Sequence, residues 1–172
     1  MGLKQLFLDI QSHIKTNLTG IAHIAMYNNQ FEHSVDNDDT YTFLMPCVFV
    51  EFENMQELKQ LGIGAQIYEP LYVKLYLGIE EIDASDGTMD QNLNAFDLAQ
   101  DLFKCMNKFE PNNSSIFIRF SEERDYDHRN VYIFTQTYST SYIDMSMLEP
   151  INGQTVTNPD LDNSDTTIDI TI

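Results

Sequence analysis

The densest set of possible metal ligands in the sequence is the run Asp125, Asp127 and His128. Two carboxylates and an imidazole are the ligand types that hold many divalent cations. Arg124 and Arg129 flank the run, and their positive charges would weaken cation binding. A charged turn explains the same residues, because Asp favours turn geometry. We therefore interpret the run as a turn between two strands rather than as a metal site.

Other patterns begin like known motifs and fail at a defining position. Asp36, Asp38 and Asp39 resemble the start of a calcium loop, but no glycine stands at the sixth place and Cys47 stands at the twelfth. The sequence has no Walker loop, no GxSxG and no GxGxxG. The histidines show no metal-binding pair at helical spacing: His13, His23, His33 and His128. The sequence therefore predicts no catalytic residue, no cofactor and no metal, and we expect a protein that is not an enzyme.

The amino-acid composition excludes further classes of function. The chain has 172 residues, 42% of them hydrophobic, which is enough for one packed domain. It carries 27 acidic and 9 basic residues, a net charge of -18. This charge argues against general nucleic-acid binding and against an anionic membrane surface, since both need basic residues. No apolar run approaches the roughly 18–20 residues of a membrane span, and no secretory signal is visible at the start.

The two cysteines, Cys47 and Cys105, lie far apart in the sequence and form no CxxC pair. A disulfide framework is therefore not expected, and a reducing compartment fits. Each cysteine lies in an apolar segment, so we expect two buried, unreactive thiols.

Two helices are predicted from apolar residues that recur at spacings of three and four. The first covers residues 3–18 and ends before Gly20. The second covers residues 92–109 and is ended by Glu110 and Pro111.

Five strands are predicted from alternation and from β-branched and aromatic residues, at 21–27, 41–53, 65–79, 115–123 and 130–144. Pro46 lies inside the second of these, which predicts an edge or a bulge there. Residues 28–40, 54–64 and 83–90 are predicted as loops or connectors, and the turn at 124–129 joins the last two strands as a hairpin. The short connections favour a mostly antiparallel sheet with two packed helices, an α+β fold.

Residues 1–148 form the predicted domain, and residues 149–172 form a C-terminal extension with five acidic and no basic residues. Near its end Ile168, Ile170 and Ile172 alternate with polar residues. A segment that adds as a strand to a neighbouring sheet has this pattern, and a frayed end is the alternative.

The strand at 130–144 has apolar residues on both faces, with four aromatic residues on one and Val131 and Ile133 on the other. Such a strand is either buried between two layers or packed against another subunit. Aromatic residues dominate both settings, so both interpretations stay open. The candidate subunit-interface residues are Tyr132, Phe134, Tyr138, Tyr142, Ile168 and Ile170.

The order of these elements over about the first 145 residues resembles that of the tail terminator and tail-completion (neck) proteins of tailed bacteriophages. The matching parts are residues 3–18, 41–53 with Pro46, 69–79, 92–109 and 115–142. The resemblance is one of layout and includes no diagnostic motif; the loop 28–40 and the acidic extension lie outside it. It implies a structural virion protein, assembled in the host cytoplasm, that forms a ring, commonly a hexamer, at the head–tail junction. Such a ring ends the tail tube and joins it to the head–tail connector.

An acidic ring lumen would repel phosphate, so DNA would pass without specific binding. Another phage ring component, such as a collar, baseplate or tube protein, remains an alternative. So does an acidic DNA mimic that inhibits a nucleic-acid-binding protein, although the acidic residues form no regular array. Segments 28–40, 54–64 and 156–172 are the candidates for contacts between subunits.

Overall fold

The computed structural model describes residues 2–31, 43–53, 58–62, 64–80, 90–125 and 131–148. Within them the chain forms two helices, α1 (Leu3–Asn17) and α2 (Asp90–Met106). The strands are β1 (His23–Met26), β2 (Cys47–Glu53), β3 (Leu58–Gln60), β4 (Gln66–Glu80), β5 (Ile118–Asp125) and β6 (Val131–Asp144). A short 3-10 turn, Ser146–Leu148, follows β6.

The six strands form one sheet in the order β1-β2-β4-β6-β5, and β3 pairs with the first part of β4. Every pairing is antiparallel except that of β1 with β2. The predicted α+β fold, with a mostly antiparallel sheet and two helices, is therefore confirmed, and β5 and β6 form the predicted antiparallel pair. The register of β4 and β6 shifts between Tyr68 and Leu71, where Pro70 lacks a donor for the ladder.

Both helices pack against the same face of the sheet. Strand side chains alternate between the two faces, so Val50, Leu75 and Tyr138 meet the helices while their neighbours in sequence point away. The helices contribute the apolar stripes of α1 (Leu6, Ile10, Ile14) and α2 (Ala95, Ala99, Leu102, Met106).

On the opposite face the described residues form a smaller cluster at one end: Phe31, Cys47, Phe49, Val131 and Ile133. The ring of Phe31 lies so close to Gly78 that an added Cβ would be 2.7 Å from two of its ring carbons. Glycine at position 78 therefore lets this ring pack closely on the sheet, and a larger residue would have to displace it.

Three of the aromatic candidates for a subunit interface lie in the core of the single chain. Phe134, Tyr138 and Tyr142 are buried beneath the helices, which is the first of the two alternatives that the sequence left open. Tyr132 is half-buried at the edge of the same cluster. Ile168 and Ile170 lie outside the described residues.

Several predicted boundaries are wrong for local reasons. Pro46 precedes β2 instead of interrupting it, and its carbonyl accepts a hydrogen bond from the Ala22 N–H at 2.7 Å. The predicted connector 54–64 contains β3, whose three residues are all exposed. The strand predicted at 21–27 covers only His23–Met26, and the one predicted at 115–123 begins at Ile118.

The second helix ends at Met106, three residues earlier than predicted, and Lys108 adopts a positive φ of 67°. Arg124 and Asp125, predicted as the start of the turn 124–129, belong to β5, and residues 126–129 lie outside the described residues. Cys105 is half-buried, not buried, while Cys47 is buried as expected; both are free thiols.

Candidate subunit interface at the edge strand β5

Strand β5 lies at the end of the sheet and pairs only with β6 among the strands of the described ranges. An edge strand has one row of backbone donors and acceptors directed away from its own sheet. Addition of a further strand is a contact that such an edge allows.

The first half of β5 exposes large apolar side chains. Ile118 is 56% exposed and Phe120 is 69% exposed. The register with β6 shifts between Arg119 and Ser121, so Phe120 is the extra residue of a bulge. Its ring centroid lies 5.5 Å from that of Tyr72, on the sheet face away from the helices. The bulge therefore directs Phe120 to the open part of that face.

The helix-facing side of β5 borders a groove of about 520 Å³ between α2 and the sheet. Phe96, Ala99, Gln100 and Phe103 of α2 line one wall, and residues 119–122 line the other. The ring of Phe96 is 49% exposed. The groove is thus partly apolar and continuous with the outer strand of the sheet.

Both arginines within the described residues, Arg119 and Arg124, lie on this side of β5. The guanidinium carbon of Arg119 lies 3.7 Å from the ring centroid of Phe103, and Arg119 also forms an ion pair with Glu122. The guanidinium carbon of Arg124 lies 4.4 Å from the ring centroid of Tyr132. These cation–π contacts hold positive charge beside the groove in a chain with a net charge of -18.

Two buried polar side chains join α2 to the sheet near the groove. The amide nitrogen of Gln136 donates to the carbonyl of Ala99 at 2.8 Å, and the Tyr138 hydroxyl donates to the Gln136 amide oxygen at 2.6 Å. Burial raises the pKa of Tyr138, so its hydroxyl keeps its proton and remains a donor. The wall formed by α2 is therefore held in place by satisfied buried hydrogen bonds.

Two other residues with possible chemistry, His13 and Cys47, are held within the fold. His13 stacks on Phe109 with 3.9 Å between ring centroids, and its Nε2 lies 2.9 Å from the carbonyl oxygen of Cys105. Burial raises the pKa of the Cys47 thiol to about 12. Asp125 ends β5, whereas Asp127, His128 and the acidic residues at 36–39 lie outside the described residues.

Within the described ranges, no group of three or more His, Cys, Asp or Glu side chains is arranged to hold a metal ion. In the same part of the chain, neither helix has the length and apolar character needed to cross a membrane.

The interface residues that the structure favours differ from those chosen from the sequence. Ile118 and Phe120 are exposed at the sheet edge, and the sequence had placed them with Ile116 on one side of a strand. That alternation was the available signal, but the position of the strand in the sheet was not visible. The candidate contact segments 28–40 and 156–172 lie outside the described residues, and segment 54–64 is only partly described.

No known family model matches this chain, and no curated protein matches it in sequence.

Proposed function

We propose that the protein is a structural virion component that assembles into a ring of identical copies, a hexamer, at the head–tail junction of a tailed bacteriophage. There it ends the tail tube and joins it to the head–tail connector. The observation that carries the self-assembly is the one-sided edge strand β5, with Ile118 and Phe120 exposed on it. Solvent-exposed apolar residues on a sheet edge that no other strand of the described ranges pairs with favour a protein partner.

The resemblance in element order, rather than the sheet edge itself, favours a ring over a closed pair. Two β5 edges that met each other would form a symmetric dimer and leave no surface for further growth. A ring needs contact between two different surfaces on each copy. Strand β5 supplies one of them, and the element order resembles that of proteins that form such rings.

The charge supports passage of DNA through the ring. Acidic residues outnumber basic ones by 27 to 9. An acidic lumen repels the phosphate backbone, so a duplex slides through without being held.

The mass of the purified protein in solution tests self-assembly. Light scattering behind a sizing column, at several concentrations, should give about six times the mass of the 19.9 kDa chain. Negative-stain images should show rings with a central opening. A monomeric mass at every concentration, with no ring formed on added tail tubes, would refute the proposal. Antibody labelling of virions then separates the neck from a collar, baseplate or tube position.

A DNA mimic is the second candidate, and the net charge of -18 favours it. A mimic needs no ring, and it competes with duplex DNA for the basic groove of a DNA-binding protein. A monomer that displaces duplex DNA from such a protein, with an effect that falls as salt rises, would support this candidate instead.

A further inference from the structure

We propose that residues 167–172 of one copy add as a strand to the outer edge of β5 in the next copy. This inference rests on the proposed self-assembly and names the contact that builds the ring. Two observations support it. Strand β5 has an exposed edge in the described structure, and the sequence of residues 167–172 has the alternation of a strand.

The acceptor edge has two chemically different sides. On the face away from the helices, β5 offers Ile118 and Phe120, both more than half exposed. On the helix-facing side it offers Arg119, which is paired with Glu122, and Arg124, which lies over the ring of Tyr132. An added strand therefore fits best when one of its sides is apolar and the other is acidic or polar.

The donor segment has these two sides. Ile168, Ile170 and Ile172 fall on one side of an extended chain, while Thr167, Asp169 and Thr171 fall on the other. The isoleucines would meet the apolar side of β5, and the carboxylate of the segment would lie on the side of the arginines. If the segment paired with β5 one residue out of this register, its apolar and polar sides would be exchanged. The alternation therefore specifies the register of the pairing.

The connecting chain is long enough to reach another copy. The described part ends at Leu148, just after β6, and Ser114 beside Tyr142 places the end of β6 close to the chain that leads into β5. Residues 149–166 can span at most about 60 Å when extended. That reach exceeds the roughly 40 Å diameter of a domain of this size.

A neighbouring copy is the acceptor that the proposed self-assembly favours, and the donor and the acceptor are two different surfaces of each copy. Each copy has one donor segment and one β5 edge, so the contact is head to tail and can close into a ring. Pairing of the segment with its own β5 would satisfy the edge without making any contact between copies.

Disulfide trapping between full-length variants tests the proposal. One variant carries Phe120→Cys, and a second carries Ile168→Cys or Ile170→Cys. Mixing the two and oxidising mildly should give a covalent dimer, because paired strands bring facing residues within the Cα separation that a disulfide requires. Peptide mapping should place the bond between the introduced cysteines.

The matched control is Thr171→Cys in place of the isoleucine variants, because residue 171 falls on the other side of the added strand. The mapped bond should be lost with this variant. The unsubstituted chain, which contains Cys47 and Cys105, reports any bond formed by the native thiols.

Three results would overturn the inference. A chain that carries both substitutions and gives only an internal bond, with no dimer from the mixture, would mean that the segment pairs with its own β5. Bonds between two Phe120→Cys chains would mean that β5 edges meet each other. Full-size rings without any bond to residues 168 or 170 would refute the strand addition while leaving the proposed function intact. The proposed function fails separately, through a monomeric mass of the unsubstituted chain at every concentration together with no ring formed on added tail tubes.

Discussion

Replacement of Phe120 by serine should weaken assembly while leaving the fold of each copy unchanged. The ring of Phe120 is 69% exposed, and its aromatic contact is with Tyr72 at the open end of the sheet. Surface substitutions of this kind change the free energy of unfolding by about 0.5 kcal/mol or less. The bulge itself is a backbone feature between Arg119 and Ser121, and serine accommodates it.

The expected loss of association follows from the area that remains exposed. A phenylalanine has on the order of 200 Å² of surface to bury. The exposed fraction of 69% then corresponds to about 140 Å² that a partner strand can cover. At about 25 cal/mol per Å², complete burial contributes about 3.5 kcal/mol per contact. The dissociation constant of each contact should therefore rise by a factor of about 300.

Sedimentation velocity or light scattering over a concentration series measures this change. The matched control is Leu44→Ser, because Leu44 is 73% exposed and lies before β2, away from the edge strand. Circular dichroism establishes that both variants are folded. Assembly of Phe120→Ser at the same concentration as the unsubstituted chain would refute β5 as the contact surface.

Gly78→Ala should lower the free energy of unfolding by about 1–3 kcal/mol in urea titrations, because the new Cβ would lie 2.7 Å from ring carbons of Phe31. Tyr138→Phe and Gln136→Leu should each cost about 1–3 kcal/mol, and the double variant should cost less than their sum, since each single change removes a partner from a buried hydrogen bond. The thiol of Cys47 should resist alkylation in the folded protein, followed by mass spectrometry, because burial raises its pKa from 9.0 to about 12. A raised pKa in the folded state also means that the contribution of this group to stability is complete below about pH 9. That contribution is lost as the pH rises from about 9 towards 12.

Each of these expectations has a control within the chain. Gly2→Ala should leave stability unchanged, since its Cβ would approach the Asp144 carboxylate only to 3.5 Å, an ordinary contact. If the losses in unfolding free energy of Tyr138→Phe and Gln136→Leu simply add in the double variant, the Tyr138 hydroxyl does not depend on the amide of residue 136. Cys105 is half-buried and should react faster than Cys47, and equal rates would contradict the burial of Cys47.

Elements with strong local patterns are predictable from the sequence. The helix α1 begins at Leu3 as predicted and ends at Asn17, one residue early, because its apolar stripe repeats at three and four residues. Strand β4 differs from its prediction by one residue at each end, since buried Leu and Val alternate along it with half-buried side chains. Strand β3 was not predicted from the sequence, because its three residues are all exposed and show no alternation of apolar and polar side chains.

The end of α2 shows why an apolar pattern can run past a helix. Phe109 continues the helical spacing, yet it lies after the turn at Lys108 and stacks on His13 of α1. Its apolar character serves a contact between elements distant in sequence. Periodicity cannot distinguish this role from a place in the helix.

The residues of the candidate interface could be predicted only in part from the sequence, for a related reason. The sequence shows aromatic side chains on β6 and apolar ones on β5, but the order of strands in the sheet is a long-range property. Strand β6 is central and its Tyr138 is buried, whereas β5 is at the edge and its Phe120 is exposed. Apolar residues of similar type serve cores and interfaces, so the position of the strand decides which role each has.

The edge strand also limits what can pair with it. An exposed apolar edge invites uncontrolled association, and charged residues or a bulge restrict this. In β5 the apolar residues Ile118 and Phe120 occupy only the first part, and the bulge falls there. The second part is charged throughout: Glu122, Glu123, Arg124 and Asp125. A partner strand must therefore match a short apolar patch beside a mixed charge pattern. A short segment that alternates isoleucine with threonine and aspartate meets that requirement, whereas an apolar strand without charge does not.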